Sequence, residues 1–343
     1  MRAMVLKGFN EPLIEESVPD PTFEQDEIII KVQANGLCAT DLKIHTGAVP
    51  TVSLPHVQGH EVSGEVLSVG AKVPNLSAGD RVTVYPTRSC GFCNYCRLGL
   101  ENYCSDAPRT GFELDGGFSE YMKVLGRNAV KISSDVPFEL AAIIPDAMAT
   151  AYHSLVQKAK TQVGETVVVI GLGGLGIHTV QLASVLGARV IAVDVVTEKI
   201  TAAQRYGADE VINAASEDTV TRVMELTGGA GADVVVEGVG GEVVPRVLDD
   251  CFKILRLGGR LVVMGYAYGK DLTVDTAQLI YGQWNVIGTR ASTLQDVVET
   301  VKLVEQGLLK PVVSKTFNLV EANDALQMLQ DSPPLGRIVL TPF

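Results

Sequence analysis

One segment, ETVVVIGLGGLGIHTVQLASVLGARVIAVD, restricts the possible folds more than any other part of the chain. It contains an apolar strand, a glycine-rich turn, an apolar-periodic helix predicted over Gly174–Leu186, and a second strand that ends in an acid. Gly171, Gly173 and Gly176 give the pattern G-x-G-x-x-G, and Asp194 follows 23 residues after the first of them. The elements stand in the order that a dinucleotide-binding unit requires.

In such a unit the glycines make a tight turn, let the backbone approach a pyrophosphate and allow close packing of helix on strand. The terminal acid binds a ribose 2′-hydroxyl. Because Asp194 repels a 2′-phosphate and no arginine follows it in VDVVTEK, we expect NAD rather than NADP. The candidate contacts in this segment are Gly171, Gly173, Gly174, Leu175, Gly176 and Asp194.

The alternation of strands and helices continues to about residue 288. Helices are predicted over TEKITAAQRYG and near 216–226 and 241–255, between the strands DEVIN, ADVVVEG, GGRLVVMG and WNVIG. About six strands joined by helices predict an α/β fold of the Rossmann type, with a doubly wound parallel sheet. Before residue 147, short strands bounded by Gly, Pro and Asp, such as DEIIIKVQANG and GDRVTVYP, predict an all-β block.

Four of the six cysteines lie together in CGFCNYCRLGLENYC. Cys90, Cys93, Cys96 and Cys104 have the spacing C-x2-C-x2-C-x7-C. In a reducing compartment this spacing is typical of a metal site, and four thiolates close a tetrahedral zinc to water. We interpret the segment as a structural zinc site. An iron–sulfur cluster and disulfides are the alternatives, because spacing alone does not exclude them.

A second group of metal-binding residue types lies in GLCATDLKIHTGAVPTVSLPHVQGHE. This stretch holds one cysteine and three of the five histidines of the chain. Cys38 and the adjacent pair His60 and Glu61 offer a sulfur, an imidazole and a carboxylate, the ligand types of an open catalytic zinc. The alternative is that this cysteine and histidine are packed core residues.

Composition and charge narrow the class of protein. The 343 residues favour two domains, and 46% hydrophobic with 20% charged residues is typical of a globular protein. The net charge of −12 and the lack of a Lys/Arg-rich run argue against a nucleic-acid partner. The start, MRAMVLKGFNEPLIEESVPD, has no apolar signal core, so we expect a cytoplasmic protein. Polar residues interrupt the most apolar stretch, Val167–Val196, and no membrane span is expected.

Together these motifs resemble the zinc-dependent alcohol dehydrogenases of the medium-chain dehydrogenase/reductase superfamily. The resemblance covers essentially the whole chain and rests on GLCATD, GHEVSGEV, AGDRVTV, the four-cysteine segment, GLGGLG and GRIVL. It implies a GroES-like β-barrel domain over residues 1–147 with 290–343, which carries catalysis, and a Rossmann NAD-binding domain over 148–289. It also implies NAD and two zinc ions per chain, one catalytic and one structural.

The resemblance assigns roles around the catalytic zinc. Cys38, His60 and Asp146 are implied as ligands, and Glu61 as a fourth ligand that swings in when water leaves. Asp146 stands where the Cys₂His pattern of alcohol dehydrogenase has its second cysteine. Asp41 matches the acid that orients the ligand histidine.

Proton transfer is assigned to the helix after Cys38. Thr40 is implied as the acceptor of the alcohol proton, and Lys43 occupies the position of the usual relay histidine, two residues before His45. A lysine with an ordinary pKa of about 10.4 is a poor relay unless burial lowers that pKa. The remaining cofactor contacts implied by position are Thr150, Lys199, Met264 and Arg337, the last of them to the phosphates.

The implied activity is hydride transfer between a primary or secondary alcohol, or a polyol, and NAD. The alternatives are a zinc-bearing relative that acts on another substrate class, such as activated double bonds, and a non-catalytic binding protein. The lack of long insertions implies a homotetramer. His56, His153, His178, Cys251 and Trp284 are interpreted as structural residues.

Overall fold

The structure is a computed structural model that describes all 343 residues. The chain divides into two compact units. The first comprises Met1–Ala149, Ser292–Gly307 and Pro311–Phe343, and the second comprises Thr150–Ala291 and Leu308–Lys310. Residues near both ends of the sequence therefore form the first unit, while the second is nearly continuous.

Sixteen strands and eleven α-helices make up these units. The strands are β1 (Arg2–Leu6), β2 (Ile14–Ser17), β3 (Glu27–Leu37), β4 (His56–Val57), β5 (Glu61–Val69), β6 (Arg81–Val84), β7 (Tyr121–Leu125), β8 (Ala129–Lys131), β9 (Thr166–Ile170), β10 (Arg189–Asp194), β11 (Glu210–Asn213), β12 (Ala232–Glu237), β13 (Leu255–Val263), β14 (Asn285–Gly288), β15 (Val313–Asn318) and β16 (Arg337–Thr341). The helices are α1 (Ala39–His45), α2 (Asn94–Arg97), α3 (Phe138–Ala142), α4 (Ala149–Tyr152), α5 (Gly176–Val185), α6 (Thr197–Arg205), α7 (Thr219–Leu226), α8 (Val244–Ile254), α9 (Thr276–Gly282), α10 (Leu294–Glu305) and α11 (Ala322–Asp331).

The second unit contains a six-stranded parallel sheet in the order β11-β10-β9-β12-β13-β14. Its central strands β9, β10 and β12 are near-continuous apolar runs, because helices cover both faces of a parallel sheet. The strand order reverses between β9 and β12, and ligands of such sheets bind in the crevice beyond the carboxyl ends of the strands at that point. The predicted doubly wound sheet is confirmed.

The first unit is built around the long strand β3. One edge of β3 pairs with β5, while its other edge pairs first with β7 and then with β16, all antiparallel. The resulting seven-stranded sheet runs β15-β16-β3-β5-β6-β8, with β7 beside the start of β3. A smaller sheet has the order β2-β1-β4. Strands β15 and β16, from the C-terminal segment, complete this unit.

Three local predictions need correction. Helix α5 begins at Gly176 rather than at residue 174, because the glycine turn extends to Leu175. Asp146, which the resemblance implies on the helix that opens the cofactor domain, lies in a π-helical segment, Ile144–Met148, and not in a regular α-helix. Trp284 precedes β14 instead of starting it, and its indole N–H donates to the carbonyl of Arg256 at 3.0 Å. None of the helices is both long and apolar enough to cross a membrane.

Candidate metal centres and nucleotide-binding turn

Four side chains with metal-binding atoms converge in the first unit. The ligand atoms of Cys38, His60, Glu61 and Asp146 all lie within 4.8 Å of one another. Cys38 directly follows β3, and the register of β3 with β5 places Gly36 opposite Glu61. A side chain at Gly36 would collide with the Glu61 carboxylate, so glycine is required for this close approach. The strand pair therefore brings the sulfur to the imidazole and carboxylate.

Asp146 reaches the cluster from the π-helical segment, a geometry that is frequent at functional sites. The hydroxyl of Ser292 donates to the carbonyl of Pro145 at 3.4 Å, and the hydroxyl of the buried Tyr85 donates to the carbonyl of Ser292 at 2.8 Å. This pair of hydrogen bonds supports the segment next to Asp146. The sequence carried no signal for either residue.

Asp41 connects two members of the cluster with its two carboxylate oxygens. Oδ2 accepts the backbone N–H of Cys38 at 2.9 Å, as part of the capping box that starts α1. Oδ1 lies 3.3 Å from Nδ1 of His60. The side chain of Asp41 is fully buried. Since Nδ1 faces Asp41, the other ring nitrogen of His60 faces the cluster, 3.7 Å from Asp146.

Arg337, which the resemblance implies as a contact of the cofactor phosphates, lies among the metal-ligand candidates. Its Nη2 is 2.7 Å from Glu61, 3.2 Å from Asp146 and 3.5 Å from Cys38 Sγ. The pairing of β16 with β3 puts Arg337 beside Cys38, and a buried guanidinium needs acidic partners. Glu61 accepts from Nε of Arg337 through both oxygens, at 2.9 and 3.2 Å. Ligation by Glu61 would have to break this pair.

Burial and mutual charge shift the pKa values of these groups. Burial raises the pKa of Glu61 well above its usual value. Burial by itself would lower the pKa of His60 and raise that of Asp146. The neighbouring acids Asp41 and Asp146 nevertheless raise the pKa of His60 well above its usual value. In return, His60 and Arg337 hold the pKa of Asp146 well below its usual range against burial. Zinc binds neutral imidazole, so metal binding at this cluster would release a proton from His60.

The donor set fits a catalytic zinc. One sulfur, one imidazole and carboxylate oxygens are zinc ligands, and bonds of about 2.0–2.3 Å require tetrahedral ligand atoms about 3.3–3.8 Å apart. The ligand atoms of the cluster already lie within 4.8 Å of one another, so small inward shifts suffice. The buried Nδ1 of His60 and Oδ1 of Asp41 make no regular hydrogen bond, although they are in ion-pair distance. That distance lets Asp41 orient the ring when Nε2 binds a metal.

The proposed proton-transfer residues lie on α1, next to this cluster. Thr40 Oγ1 is 3.6 Å from Cys38 Sγ. Lys43 is half-buried, and burial lowers the pKa of its ammonium group, against the smaller opposing effect of Cys38. A lowered pKa is what a proton-relay function requires of Lys43. Burial also lowers the pKa of His45, which lies two residues further along α1.

A short loop, residues 109–113, packs against the ring of His60, and the sequence did not predict this contact. The ring of Phe112 lies 5.0 Å from that of His60, and the guanidinium of Arg109 stacks on Phe112 at 4.0 Å. Arg109 pairs with Glu113 at 2.6 Å, and the hydroxyl of Thr51 donates to Glu113 at 2.6 Å. Burial raises the pKa of Glu113, but the hydrogen bonds from Arg109 and Thr51 outweigh it and lower that pKa to about 2.

The second metal-binding group is the four-cysteine lobe. The sulfurs of Cys90, Cys93, Cys96 and Cys104 lie within 4.8 Å of one another, with Cys96 Sγ 3.8 Å from Cys90 and 3.5 Å from Cys93. Four sulfurs about 2.3 Å from one zinc lie about 3.8 Å apart, so the arrangement fits a closed tetrahedral site. All four cysteines are free, which is inconsistent with the disulfide alternative.

Backbone N–H groups point at these sulfurs. Cys90 Sγ accepts from Cys93 at 3.3 Å, and Cys93 Sγ accepts from Cys96 at 3.5 Å. The N–H groups of Phe92 and Cys93 lower the pKa of the Cys90 thiol to about 6, whereas burial raises that of Cys104 to about 11. Phe92 and Leu98 are 69% and 64% exposed, so the lobe has little apolar core. A metal is therefore what would hold this segment together.

In the second unit, the three glycines of the turn have separate tasks. Gly171 adopts a φ of +92°, which a side chain would disfavour. A Cβ on Gly173 would meet nothing within 4 Å, so this face of the backbone is open to a ligand. A Cβ on Gly176 would collide with the carbonyl of Gly171. This is the arrangement by which a turn admits a pyrophosphate at the start of a helix.

The other proposed cofactor residues lie at different places in the second unit. Asp194 ends β10, and its Oδ2 accepts the N–H of Leu172 at 2.7 Å, which ties the acid to the glycine turn. Lys199 lies on α6, and Met264 directly follows β13. Thr150 is buried, and its carbonyl accepts the hydroxyl of Ser154 at 2.7 Å.

Four of the residues interpreted as structural are buried, and His56 and His178 among them have hydrogen-bond partners. His56 Nε2 is 3.1 Å from the carbonyl of Gly111, and His178 Nδ1 is 2.6 Å from that of Gly174. His153 and Cys251 are 2% and 0% exposed. These side chains thus belong to the core, in agreement with the sequence analysis.

A closed four-sulfur site, an open mixed-ligand site and a nucleotide-binding turn together define a zinc-binding dehydrogenase. Two family models match the chain: "Alcohol dehydrogenase GroES-like domain" over residues 24–134 and "Zinc-binding dehydrogenase" over residues 174–306. The chain belongs to the zinc-dependent alcohol dehydrogenase family of the medium-chain dehydrogenase/reductase superfamily.

Individual relatives agree with this assignment. The chain is 36% identical to the NAD-dependent alcohol dehydrogenase of Sulfurisphaera tokodaii, with 100% of both chains covered. It is 35% identical to the acryloyl-coenzyme A reductase of Metallosphaera sedula, over 99% of this chain and 100% of the relative. The crystal structure of the alcohol dehydrogenase from Aeropyrum pernix matches with a TM-score of 0.92 at 34% identity, with 100% of both chains covered.

Proposed function

We propose that the protein is an NAD-dependent zinc alcohol dehydrogenase. It would interconvert a primary or secondary alcohol, or a polyol, with the corresponding aldehyde or ketone. The observation that carries the proposal is the convergence of Cys38, His60, Glu61 and Asp146 within 4.8 Å in a chain of this family. The full-length match to an NAD-dependent alcohol dehydrogenase supports the choice of cofactor and substrate class.

In the proposed site Cys38, His60 and Asp146 hold the catalytic zinc, and Glu61 serves as an alternative ligand. Zinc bound there supplies Lewis acidity, which lowers the pKa of a substrate hydroxyl towards about 7, as it does for water. Asp41 orients His60 and favours binding through Nε2. Arg337 balances the acidic charge, because its guanidinium contacts both Glu61 and Asp146. The four cysteines of the lobe hold the structural zinc.

Two side chains of helix α1 are proposed to transfer the alcohol proton away from the substrate. Thr40 is proposed to accept it through Oγ1, which lies beside Cys38. Lys43, three residues further along α1, is proposed to take the proton next. The lowered pKa of Lys43 supports this step, since a proton acceptor works best when its pKa is near the operating pH.

Residues at the carboxyl edge of the parallel sheet are proposed to hold NAD, which would accept the hydride when bound. The glycine turn from Gly171 to Gly176 would hold the pyrophosphate, and Asp194 the adenosine ribose. Thr150, Lys199 and Met264 are proposed as further contacts. Val195 and Val196 follow Asp194, are 61% and 37% exposed, and offer no positive charge for a 2′-phosphate. This composition supports NAD over NADP.

A second candidate is reduction of an activated double bond in a thioester of coenzyme A. Its support is the acryloyl-coenzyme A reductase of Metallosphaera sedula, which is 35% identical over 99% of this chain. In both reactions a hydride moves between a nicotinamide and the substrate, so the fold and the glycine turn do not distinguish them. The two candidates differ in the substrate, which is an alcohol or ketone in the first and a thioester of coenzyme A in the second.

The deciding experiment measures kcat/KM with primary, secondary and polyol alcohols, with ketones, and with acryloyl-coenzyme A, each with NAD(H) and NADP(H). We expect the highest value for an alcohol or ketone with NAD(H). A higher kcat/KM for the thioester would replace the proposed reaction with the second candidate. A preference for NADP(H) would refute the proposed role of Asp194, and Asp194→Gly should narrow the gap between the cofactors.

We also propose that the enzyme is a cytoplasmic homotetramer, with a catalytic domain over 1–147 and 290–343 and a cofactor domain over 148–289. The edge strand β14 supports self-association, since Val286 is 39% exposed and the nearby Ile280 and Tyr281 are 70% and 82% exposed. Light scattering after size exclusion should give four times the chain mass. Val286→Glu should lower that mass, and a monomeric wild type would contradict the proposal.

A further inference from the structure

A buried acid in the second unit has no role in the function proposed so far. Glu237 is the last residue of β12, and it is fully buried. Its Oε1 accepts the N–H groups of Val239 at 2.7 Å and Gly240 at 3.0 Å, and its Oε2 accepts that of Gly265 at 3.1 Å. One carboxylate therefore holds two separate loops, the one after β12 and the one after β13.

The backbone of the same residue strengthens this connection. The carbonyl of Glu237 accepts the N–H groups of Met264 at 2.9 Å and Gly265 at 3.1 Å. The N–H groups of Val239 and Gly240 lie beyond β12, and the Glu237 carboxylate is the acceptor of both. Buried N–H groups without partners are costly, and a charged acceptor satisfies them better than a neutral one. An acid at this position is thus explained by the loops that it organises.

The location of Glu237 connects it to the cofactor. Glu237 pairs in register with Ile170, the last residue of β9, and the strand order reverses between these two strands. A dinucleotide lies across the crevice at this point. Gly171 follows Ile170 directly, and a Cβ added to it would lie 2.9 Å from the side chain of Val239. The loop that Glu237 holds therefore packs against the first glycine of the nucleotide turn.

The two halves of a dinucleotide lie over the two halves of such a sheet. Asp194 ends β10 and marks the adenosine half. The other half of the cofactor then lies along β12 and β13, where the loops fixed by Glu237 begin. We propose that Glu237 is a positioning residue for the nicotinamide-bearing half of the cofactor. This inference rests on the proposed function, because it takes NAD as the ligand.

The test compares NADH with 5′-AMP, which contains only the adenosine half. In Glu237→Gln the carboxamide oxygen can keep two N–H partners, but its NH₂ group faces the N–H of Gly265. We expect the Kd for NADH to rise about tenfold and the Kd for 5′-AMP to change less than about threefold, each measured by calorimetry. The KM for NAD should rise more than kcat falls.

Asp233→Asn is the matched control. Asp233 lies at the other end of β12, accepts the N–H of Thr166 at 2.8 Å and pairs with Arg256. Its replacement should lower the Tm while the ratio of the two Kd values stays as in the wild type. A merely structural role for Glu237 predicts the same pattern for Glu237→Gln.

Gly265→Ala provides a second variant that keeps the carboxylate. An added Cβ would lie 2.8 Å from both oxygens of Glu237 and would collide with the N–H of Gly240, so it pushes the two loops apart. It should also weaken NADH selectively. Parallel weakening of NADH and 5′-AMP, or no change in either Kd, would overturn the inference about Glu237. A wild type that binds neither ligand would overturn the proposed function instead.

Discussion

At the scale of single residues, Asp41 has two tasks that depend on one geometry. Its Oδ2 caps the N–H of Cys38 and its Oδ1 faces Nδ1 of His60. The helix start and the histidine orientation are therefore set by the same side chain. The sequence predicted the second task through the family resemblance, but it did not reveal the first, because Cys38 is an unusual residue for a helix N-cap.

Asp41→Asn should lower the affinity for the catalytic zinc or the activity about 10- to 100-fold, because the amide NH₂ would meet the N–H of either Cys38 or His60. Zinc content by atomic emission and kcat/KM measure the effect. Asp296→Asn is the control, since Asp296 is a buried capping-box acid of α10 that accepts the N–H of Thr293 at 2.8 Å. The control should lower the Tm without loss of zinc. Equal losses of zinc in both variants would contradict the orienting role.

Cys38→Ser should remove one zinc per chain and almost all turnover, because a serine hydroxyl is a poor replacement for a thiolate ligand. The affinity for NADH should stay within about threefold of the wild type, since the glycine turn belongs to the other unit. Cys251→Ser is the matched variant, because Cys251 is also a buried cysteine but lies in α8. It should keep both zinc ions. Retention of both by Cys38→Ser would show that Cys38 is a core residue.

At the scale of elements, two short segments shape the zinc sites. The loop from Arg109 to Glu113 places Phe112 on the ring of His60 and against the buried cluster of Ile44, Val49 and Val52, and the lobe from Cys90 to Cys104 encloses four sulfurs. The ion pair of Arg109 with Glu113 holds the loop, and a metal would hold the lobe. Each should therefore respond strongly to one substitution.

Glu113→Gln should lower the Tm at pH 7 by removing the ion pair with Arg109. The pKa of Glu113 is lowered to about 2 in the folded protein, below its unfolded value, so the ionised carboxylate stabilises the fold above the unfolded pKa. That contribution is lost as the pH falls towards 2. The difference in Tm between wild type and variant should accordingly be smaller at pH 4 than at pH 7. A difference that grows on acidification would contradict this assignment of charge.

Cys93→Ser should destabilise the lobe without touching the reacting groups, since a closed four-sulfur site contributes folding free energy through its metal. We expect one zinc per chain to be lost and the Tm to fall by several degrees. Calorimetry measures the Tm and metal analysis measures the zinc content per chain. A variant with two zinc ions and an unchanged Tm would exclude the structural zinc site.

At the scale of the whole molecule, the features that could be predicted are those whose interacting residues lie close together in the sequence. The parallel sheet and the glycine turn are encoded by neighbouring residues, and the sequence predicted them correctly. The residue types in the stretch from Cys38 to Glu61 indicated a zinc site with core packing as the alternative, and the family resemblance added Asp146 to it. The contact of Arg337 with Cys38 was not predicted, because it depends on the pairing of β16 with β3, residues separated by about 300 positions. The loop at Phe112 has no sequence motif at all.

Removal of both zinc ions by a chelator should affect the two units differently. We expect the activity to disappear and the Tm to fall, while the Kd for 5′-AMP stays within about threefold, because Gly171–Gly176 and Asp194 lie in the second unit. Asp194→Gly should do the reverse: it should lose affinity for 5′-AMP and keep both zinc ions. Loss of 5′-AMP binding on chelation would show that the units depend on each other for binding.

The pairing of β16 with β3 also sets an order of events during synthesis on the ribosome. The second unit has nearly all of its residues once Ala291 has emerged, whereas Arg337, which contacts Cys38, is synthesised 46 residues later. At about 5–20 residues per second, Cys38 waits roughly 15–60 s for this partner. During that interval β3 has an open edge where β16 later binds. The contact of Arg337 with Cys38 can therefore form only after nearly all of the second unit has been synthesised.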